Sequence, residues 1–286
     1  MTRPGYAATA LPPFRARQRG ALALAGLAGC TGGDAESDPT AEPTATATSD
    51  PSVDWSEVAE FRTWLTEYST LPSSNARFDY QQVNLDQVVG VGRTSVFDVA
   101  PEDADGALVQ SANVVVLGDF DRESLVADLE ASEDHEVTGE YEGYATAEAA
   151  ETATEYAVGG DAVLAGSELA VWIDTHLGER ERLEEADPVF TRIFERLPDR
   201  GLVTGQYGPP AGGEIDAEAI EAWGHSMPSL AAGEGTWVYA LEPDTGEAAV
   251  DELAAELGES AFVTEVTERG VDGRFVAFTA ETRSLD

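Results

Sequence analysis

Apolar residues recur at three- and four-residue spacing from Trp55 through Val58, Phe61 and Leu65 to Tyr68. That spacing predicts an amphipathic helix capped by Asp54 and stopped by Pro72. An alternating strand follows at 78–83, then a glycine-rich passage through Gly90-Val91-Gly92 and an acidic loop at 101–106. The stretch 113–120, with Val114 to Leu117 at its heart, predicts a buried strand. After it the pattern gives a helix at 122–131 and strands at 135–141, 144–148, 155–158 and 162–165. A helix capped by Ser167 runs to Gly178. Another opens at Asp187-Pro188, where proline suits the first turn, and shows Val189, Ile193, Phe194 and Leu197 on one face to its end at Leu197. A strand at 201–207, a helix at 217–223, a strand at 236–242, a helix at 247–257 and strands at 261–267 and 274–279 complete the reading.

These elements predict an α+β fold of mixed, mainly antiparallel sheets with helices packed on one face. The order strand, helix, strand, strand occurs twice, at 113–148 and 236–279, with Glu136-Val137-Thr138 and Glu265-Val266-Thr267 at similar places. An internal duplication is therefore expected, with modules 54–208 and 209–286 inside a globular region 54–286. The pieces Ser167-Glu168-Leu169, Asp187-Pro188-Val189-Phe190 and Arg196-Leu197-Pro198-Asp199-Arg200-Gly201-Leu202-Val203 resemble bacterial extracytoplasmic proteins built from repeated mixed modules. That resemblance implies a fold type only.

The start of the chain follows a different rule. Arg3, Arg15, Arg17 and Arg19 are its only charges before Cys30, and they precede the apolar run Gly20 to Gly29. Ten helical residues reach about 15 Å, half of a ~30 Å hydrocarbon core, so the run is too short to span. Charge followed by a short apolar stretch reads as a signal peptide at 1–29. Leu27-Ala28-Gly29-Cys30 resembles the lipobox of bacterial and archaeal lipoproteins. The resemblance implies cleavage before Cys30, a lipid on its thiol, and a mature protein held at the outer face of the cell membrane. Arg15, Arg17 and Arg19 alternate with Ala16 and Gln18 where many exported haloarchaeal proteins have two adjacent arginines, which leaves the export route open. Residues 30–53 carry almost no large apolar side chain and read as the lipidated cysteine and a disordered stalk, with a reach of about 25 Å.

Charge sharpens the picture. The chain has 55 acidic and 16 basic residues, and every basic residue is arginine. Removing residues 1–29 leaves 12 arginines against 55 acids, a net charge of −43. Such a body repels itself unless salt screens it, and at molar salt the Debye length is about 3 Å. Together with the lipobox, this composition resembles the acidic surface lipoproteins of haloarchaea. A hydrophobic content of 42% argues for a packed core in place of an acidic disordered chain. Nucleic acid is excluded as a partner, since phosphate binding needs clustered cations. A lipidated Cys30, the only cysteine, leaves no thiol for a disulfide or a metal.

Catalytic signatures are weak. Gly224-His225-Ser226-Met227-Pro228 comes nearest to a nucleophile elbow, but Pro228 replaces the closing glycine and a helix is expected before it, so Ser226 reads as a helix end, with His135 and His176 as its conceivable partners. Asp103-Ala104-Asp105-Gly106 has half of a calcium-loop pattern with Pro101 where the first aspartate belongs. Gly90-Val91-Gly92-Arg93-Thr94-Ser95 lacks the lysine of a phosphate loop, and the histidines have no zinc spacing. Asp119 and Asp121 are a carboxylate pair in a chain where such pairs are common. No cofactor, metal or catalytic residue is therefore expected, and Cys30 is the one candidate site. The expected function is a non-enzymatic surface lipoprotein that binds or scaffolds envelope partners at high salt. A solute-binding lipoprotein serving a transporter comes second, and a secreted hydrolase third.

Overall fold

Twelve strands form one antiparallel sheet, described from a computed structural model that covers residues 53–67, 77–82, 103–210, 219–229, 231 and 233–284. In chain order the strands are β1 (Phe78–Gln81), β2 (Ala104–Gln110), β3 (Asn113–Gly118), β4 (His135–Tyr141), β5 (Tyr144–Ala149), β6 (Glu155–Val158), β7 (Ala162–Gly166), β8 (Leu202–Tyr207), β9 (Ile220–Met227), β10 (Gly233–Leu241), β11 (Val263–Asp272) and β12 (Phe275–Thr282). They lie side by side as β11-β12-β10-β9-β8-β1-β2-β3-β7-β6-β5-β4. The helices are α1 (Arg122–Ala131), α2 (Leu169–Leu177), α3 (Leu183–Ala186), α4 (Pro188–Phe194) and α5 (Glu247–Glu259). The α+β class thus stands, and the sheet dominates it. It runs unbroken through residues 208 and 209, because β8 pairs with β9.

Helices cover both faces, not the expected one. Strand side chains alternate between faces, and the core sorts accordingly. Val115, Leu117, Val238 and Ala240 join Trp172, Phe190 and Ile193 of α2 and α4 in one apolar cluster. Val114 and Val116 pack with Leu125 and Leu129 of α1, while Trp237, Tyr239 and Leu241 pack with Val250, Leu253 and Leu257 of α5. Register ties the second face together, since Val114, Val109, Asp79, Thr204, His225 and Trp237 are successive cross-strand partners. The α1 and α5 helices therefore share one face at opposite ends of the sheet. Each fully buried large apolar side chain, Trp64, Trp172 and Phe190 among them, contributes about 1.5–3 kcal/mol or more.

Three expected elements differ. The helix expected from Asp54 is a 3-10 turn, Glu60–Trp64, within an N-terminal strap at 53–67. Its backbone is claimed from outside: Leu183 N–H donates to Leu65 O at 2.8 Å, and the Gln110 amide both accepts from Thr66 N–H at 3.1 Å and donates to Thr66 O at 2.6 Å. Phe61 and Leu65 are still buried as their spacing implied, Trp55 and Val58 are half-buried, and Trp64, outside that spacing, is buried as well. Asp103-Ala104-Asp105-Gly106, read as a loop, belongs to β2 from Ala104 onwards, with a bulge between Ala104 and Gly106. Of the helix expected at 217–223, the stretch Ile220 to Trp223 is instead the start of β9, because pairing with β8 and β10 overrides the local preference of its alanines and glutamates, and 217–218 lie outside the described residues.

Among the described residues no helix is long and apolar enough to cross a membrane. Residues 1–29, Cys30, the stalk and Gly90 to Ser95 lie outside the described residues.

Candidate functional site

Ser226 is not a nucleophile elbow. It sits on the interior strand β9, fully buried, and its hydroxyl donates to Pro198 O at 2.6 Å. Neither conceivable partner comes near: His135 is on the edge strand β4 with Nδ1 2.8 Å from Ser132 Oγ, and His176 is in the last turn of α2. Asp121 caps α1 by accepting from Ser124 N–H at 3.1 Å, while Asp119 is exposed. Among the described residues no group of three His, Cys, Asp or Glu is placed to hold a metal ion.

The polar cluster that the fold does assemble surrounds His176. Its Nδ1 lies 2.8 Å from Thr63 Oγ1 on the strap, and its Nε2 lies 3.4 Å from Asp161 Oδ2 on the β6–β7 turn. Tyr144 of β5 donates to both Asp161 oxygens at 2.9 and 3.0 Å. The Trp64 indole stacks on the imidazole with centroids 4.0 Å apart and planes 11° apart. Hydrogen bonding from His176, then from Tyr144, holds Asp161 below the usual carboxylate range against the cost of burial. Burial pushes the Tyr144 hydroxyl far up, with Asp161 adding to it. Burial likewise lifts Glu60, which His176 opposes and Asp161 and Asp105 reinforce.

A hydroxyl, an imidazole and a carboxylate in line invite comparison with a hydrolytic triad. Here the Thr63 hydroxyl is half-buried and has Glu60 O at 2.7 Å as a competing acceptor beside His176 Nδ1 at 2.8 Å. The arrangement fastens the strap to the sheet and does not present a nucleophile. No sequence signal marks it, because Thr63, Asp161 and His176 are 98 and 15 positions apart and meet only through the sheet.

The strap has a second clasp. Arg62 reaches Glu184 of α3 through Nε at 2.8 Å and Nη2 at 2.6 Å, and Asp199 through Nη1 at 3.0 Å, with its guanidinium 4.6 Å over the Phe194 ring. Both members of the Arg62–Glu184 pair are buried, and desolvation pushes Glu184 up while Arg62 opposes it. On the opposite face His225 lies between the Trp223 and Trp237 rings, at 5.9 and 5.8 Å. Burial lowers its pKa to about 4, so it is neutral at physiological pH.

A groove of about 340 Å³ lies between α2 and the sheet end formed by β4, β5 and β6. Tyr141, Leu169 and Ile173 give it apolar walls, and Glu140, Glu148 and Glu155 an acidic rim. Glu155 is not wholly free for a ligand, since it accepts from Leu169 N–H at 3.0 Å and so caps α2, the role expected of Ser167.

No family model and no curated protein matches the chain. A distant structural likeness is to TP0453 in its crystal form IV, with 10% identity and a TM-score of 0.43 over 74% of this chain and 90% of that chain; at that level it carries no argument about fold or function.

Proposed function

We propose that this chain is a non-enzymatic lipoprotein, anchored through Cys30 at the outer face of the cell membrane, whose acidic body binds or scaffolds an envelope partner at high salt. The observation that carries the proposal is the order arginines, short apolar run, Leu27-Ala28-Gly29-Cys30, then a polar segment of low apolar content. Two features of the body agree with it. The acids outnumber the bases more than threefold, which suits a surface kept in solution by salt. The strap at 53–67, where the proposed stalk ends, is clasped by Arg62 and by His176, so a pull through the stalk meets a fastened end. Detergent-phase partitioning tests the proposal: wild type is expected in the detergent phase and Cys30→Ser in the aqueous phase or uncleaved. Wild type in the aqueous phase contradicts it. Crosslinking at native salt then identifies the partner.

The solute-binding alternative is favoured by the groove beside α2, whose size suits a small ligand. The hydrolase reading lost its candidate nucleophile when Ser226 proved buried and bonded to Pro198 O.

The duplication is also a proposal, and matching hairpins support it. In β4, Glu136 and Val137 face Glu148 and Ala147 of β5, and a bulge follows at Thr138 before Gly139 meets Thr146. In β11, Glu265 and Val266 face Glu281 and Ala280 of β12, and a bulge follows at Thr267 before Glu268 meets Thr279. Glu-Val-Thr on the edge strand thus faces Thr-Ala-Glu at both ends of the sheet, with the same bulge. The β1 and β8 strands pair antiparallel at the centre. From them β1-β2-β3-α1-β4-β5 and β8-β9-β10-α5-β11-β12 run outwards in the same order, the first half carrying β6 and β7 as an addition. Repeats beginning at β1 and β8 fit better than a boundary at 208 and 209.

A further inference from the structure

We infer that the groove between α2 and the β4–β6 end of the sheet is a site for a small organic cation, a guanidinium or ammonium head carried on an apolar body. The charge comes from a row of carboxylates fixed by strand register. Glu136 of β4 pairs across the sheet with Glu148 of β5, and Glu148 pairs with Glu155 of β6, so three glutamates stand side by side on the α2 face. Side chains directly opposite one another lie about 5 Å apart, and like charges placed there are unfavourable. Among the described residues no arginine pairs with any of the three: Arg122 is engaged by Glu140 at 2.7 Å, and Glu155 accepts from Leu169 N–H.

The opposite end of the sheet carries a matching row with a cation attached. Glu265 of β11 faces Glu281 of β12, which faces Glu234 of β10, and Arg200 donates to Glu234 Oε1 at 3.2 Å and to Glu234 O at 2.6 Å. Under the proposed duplication Glu136 and Glu148 are the counterparts of Glu265 and Glu281. The row beside α2 has no such arginine and borders a groove of about 340 Å³ instead.

The walls select an organic cation over a bare ion. Among the described residues no three carboxylates converge as metal ligands. Leu169 and Ile173, one turn apart on α2, form an apolar side, and Gly139 and Thr146 form a low floor on β4 and β5. A Cβ at Gly139 would meet no atom within 4 Å, so nothing crowds that floor. Tyr141 donates to Asp174 at 2.7 Å and closes one end. The volume suits a small molecule. At molar salt the Debye length is about 3 Å, so the carboxylates hold only a cation in direct contact, and burial of the apolar body favours the ligand over potassium or sodium. This inference deepens the solute-binding reading and rests on it, while lipid anchoring is independent of it.

Titration of the native protein in molar potassium chloride with benzylguanidine, and with benzylurea as its neutral isostere, tests the inference through the NMR shifts of the Gly139, Thr146 and Ala170 amides. Benzylguanidine is expected to shift them saturably and to bind about tenfold more tightly than benzylurea. Glu148→Gln removes the central charge at an exposed position and is expected to weaken benzylguanidine about tenfold, whereas Glu281→Gln, its counterpart at the far end, is expected to leave binding unchanged. Ala170→Trp, exposed on α2, is expected to fill the groove and abolish the shifts at Gly139 and Thr146. Equal binding of benzylurea overturns the cation preference but leaves a solute groove in place; no saturable shift with either compound overturns both. Equal weakening by Glu148→Gln and Glu281→Gln, or binding that survives Ala170→Trp, also overturns the inference, because the acidic body as a whole would then hold the cation.

Discussion

His225 gives the most quantitative expectation for stability. Its ring lies between Trp223 and Trp237 on the α1 and α5 face, and burial lowers its pKa from an ordinary 6.5 to about 4, with Asp79 raising it and Arg77 lowering it to smaller extents. A histidine with a depressed folded pKa contributes stability above its unfolded pKa. That stability is lost as pH falls, because the unfolded chain takes up the proton first. The loss begins near pH 6.5 and is complete just below pH 4. Each pH unit between the two values is worth 1.36 kcal/mol, so the whole effect is about 3 kcal/mol. His225→Phe keeps a ring between the indoles and removes the titration. Carboxylates throughout the molecule also titrate in this window, so the informative quantity is the difference between wild type and variant at each pH. Urea unfolding at fixed molar potassium chloride, from pH 7.5 to 4, measures it. Wild type is expected to lose about 3 kcal/mol relative to the variant across the window. A difference that stays flat refutes the assignment of His225 as a buried neutral ring.

Other consequences can be measured on the same samples. Arg62→Ala strands the buried Glu184 and is expected to cost about 3–5 kcal/mol in urea unfolding; a loss under 1 kcal/mol would mean that water enters the clasp. A Cβ at position 118 would collide with the Asp103 carbonyl oxygen, so Gly118→Ala is expected to lower the melting temperature by several degrees, and an unchanged value would contradict the β2–β3 geometry. Ser226→Ala removes the bond to Pro198 O and is expected to cost about 1 kcal/mol while leaving partner capture unchanged; loss of capture in a folded variant would return Ser226 to the functional site. Dilution from molar to low salt is expected to unfold the body as its carboxylates lose screening, and a cooperative melt unchanged without added salt would refute this reading of the charge.

Local chemistry made some elements readable in advance. The sequence pattern placed α1 at Arg122–Ala131, where Asp121 proves to cap the first turn, and set strands at 135–141 and 144–148 on either side of a turn in which Glu142 and Gly143 both take positive φ. Where the backbone answers to distant partners, local pattern misled. Alanine and glutamate at 217–223 favour a helix, yet Ala222 and Trp223 pair with Tyr207 and Gln206 on one side and with Ala240 and Tyr239 on the other. The strap shows the helical spacing of Trp55, Val58, Phe61 and Leu65, but Gln110 and Leu183 take the backbone bonds that would have continued it. Burial of both sheet faces was hidden because the apolar runs at 113–117 and 237–241 read the same from either side. The His176 cluster had no local trace at all. It exists because a turn, a strap and a helix end meet at one end of the sheet.

Intact-mass and N-terminal peptide analysis of the native protein, recovered from cells at native salt, tests the proposed identity most directly. An exported, lipid-anchored protein gives a chain that begins at Cys30 and carries the added mass of a lipid. A chain that begins at Met1 with a free Cys30 thiol would contradict the proposal.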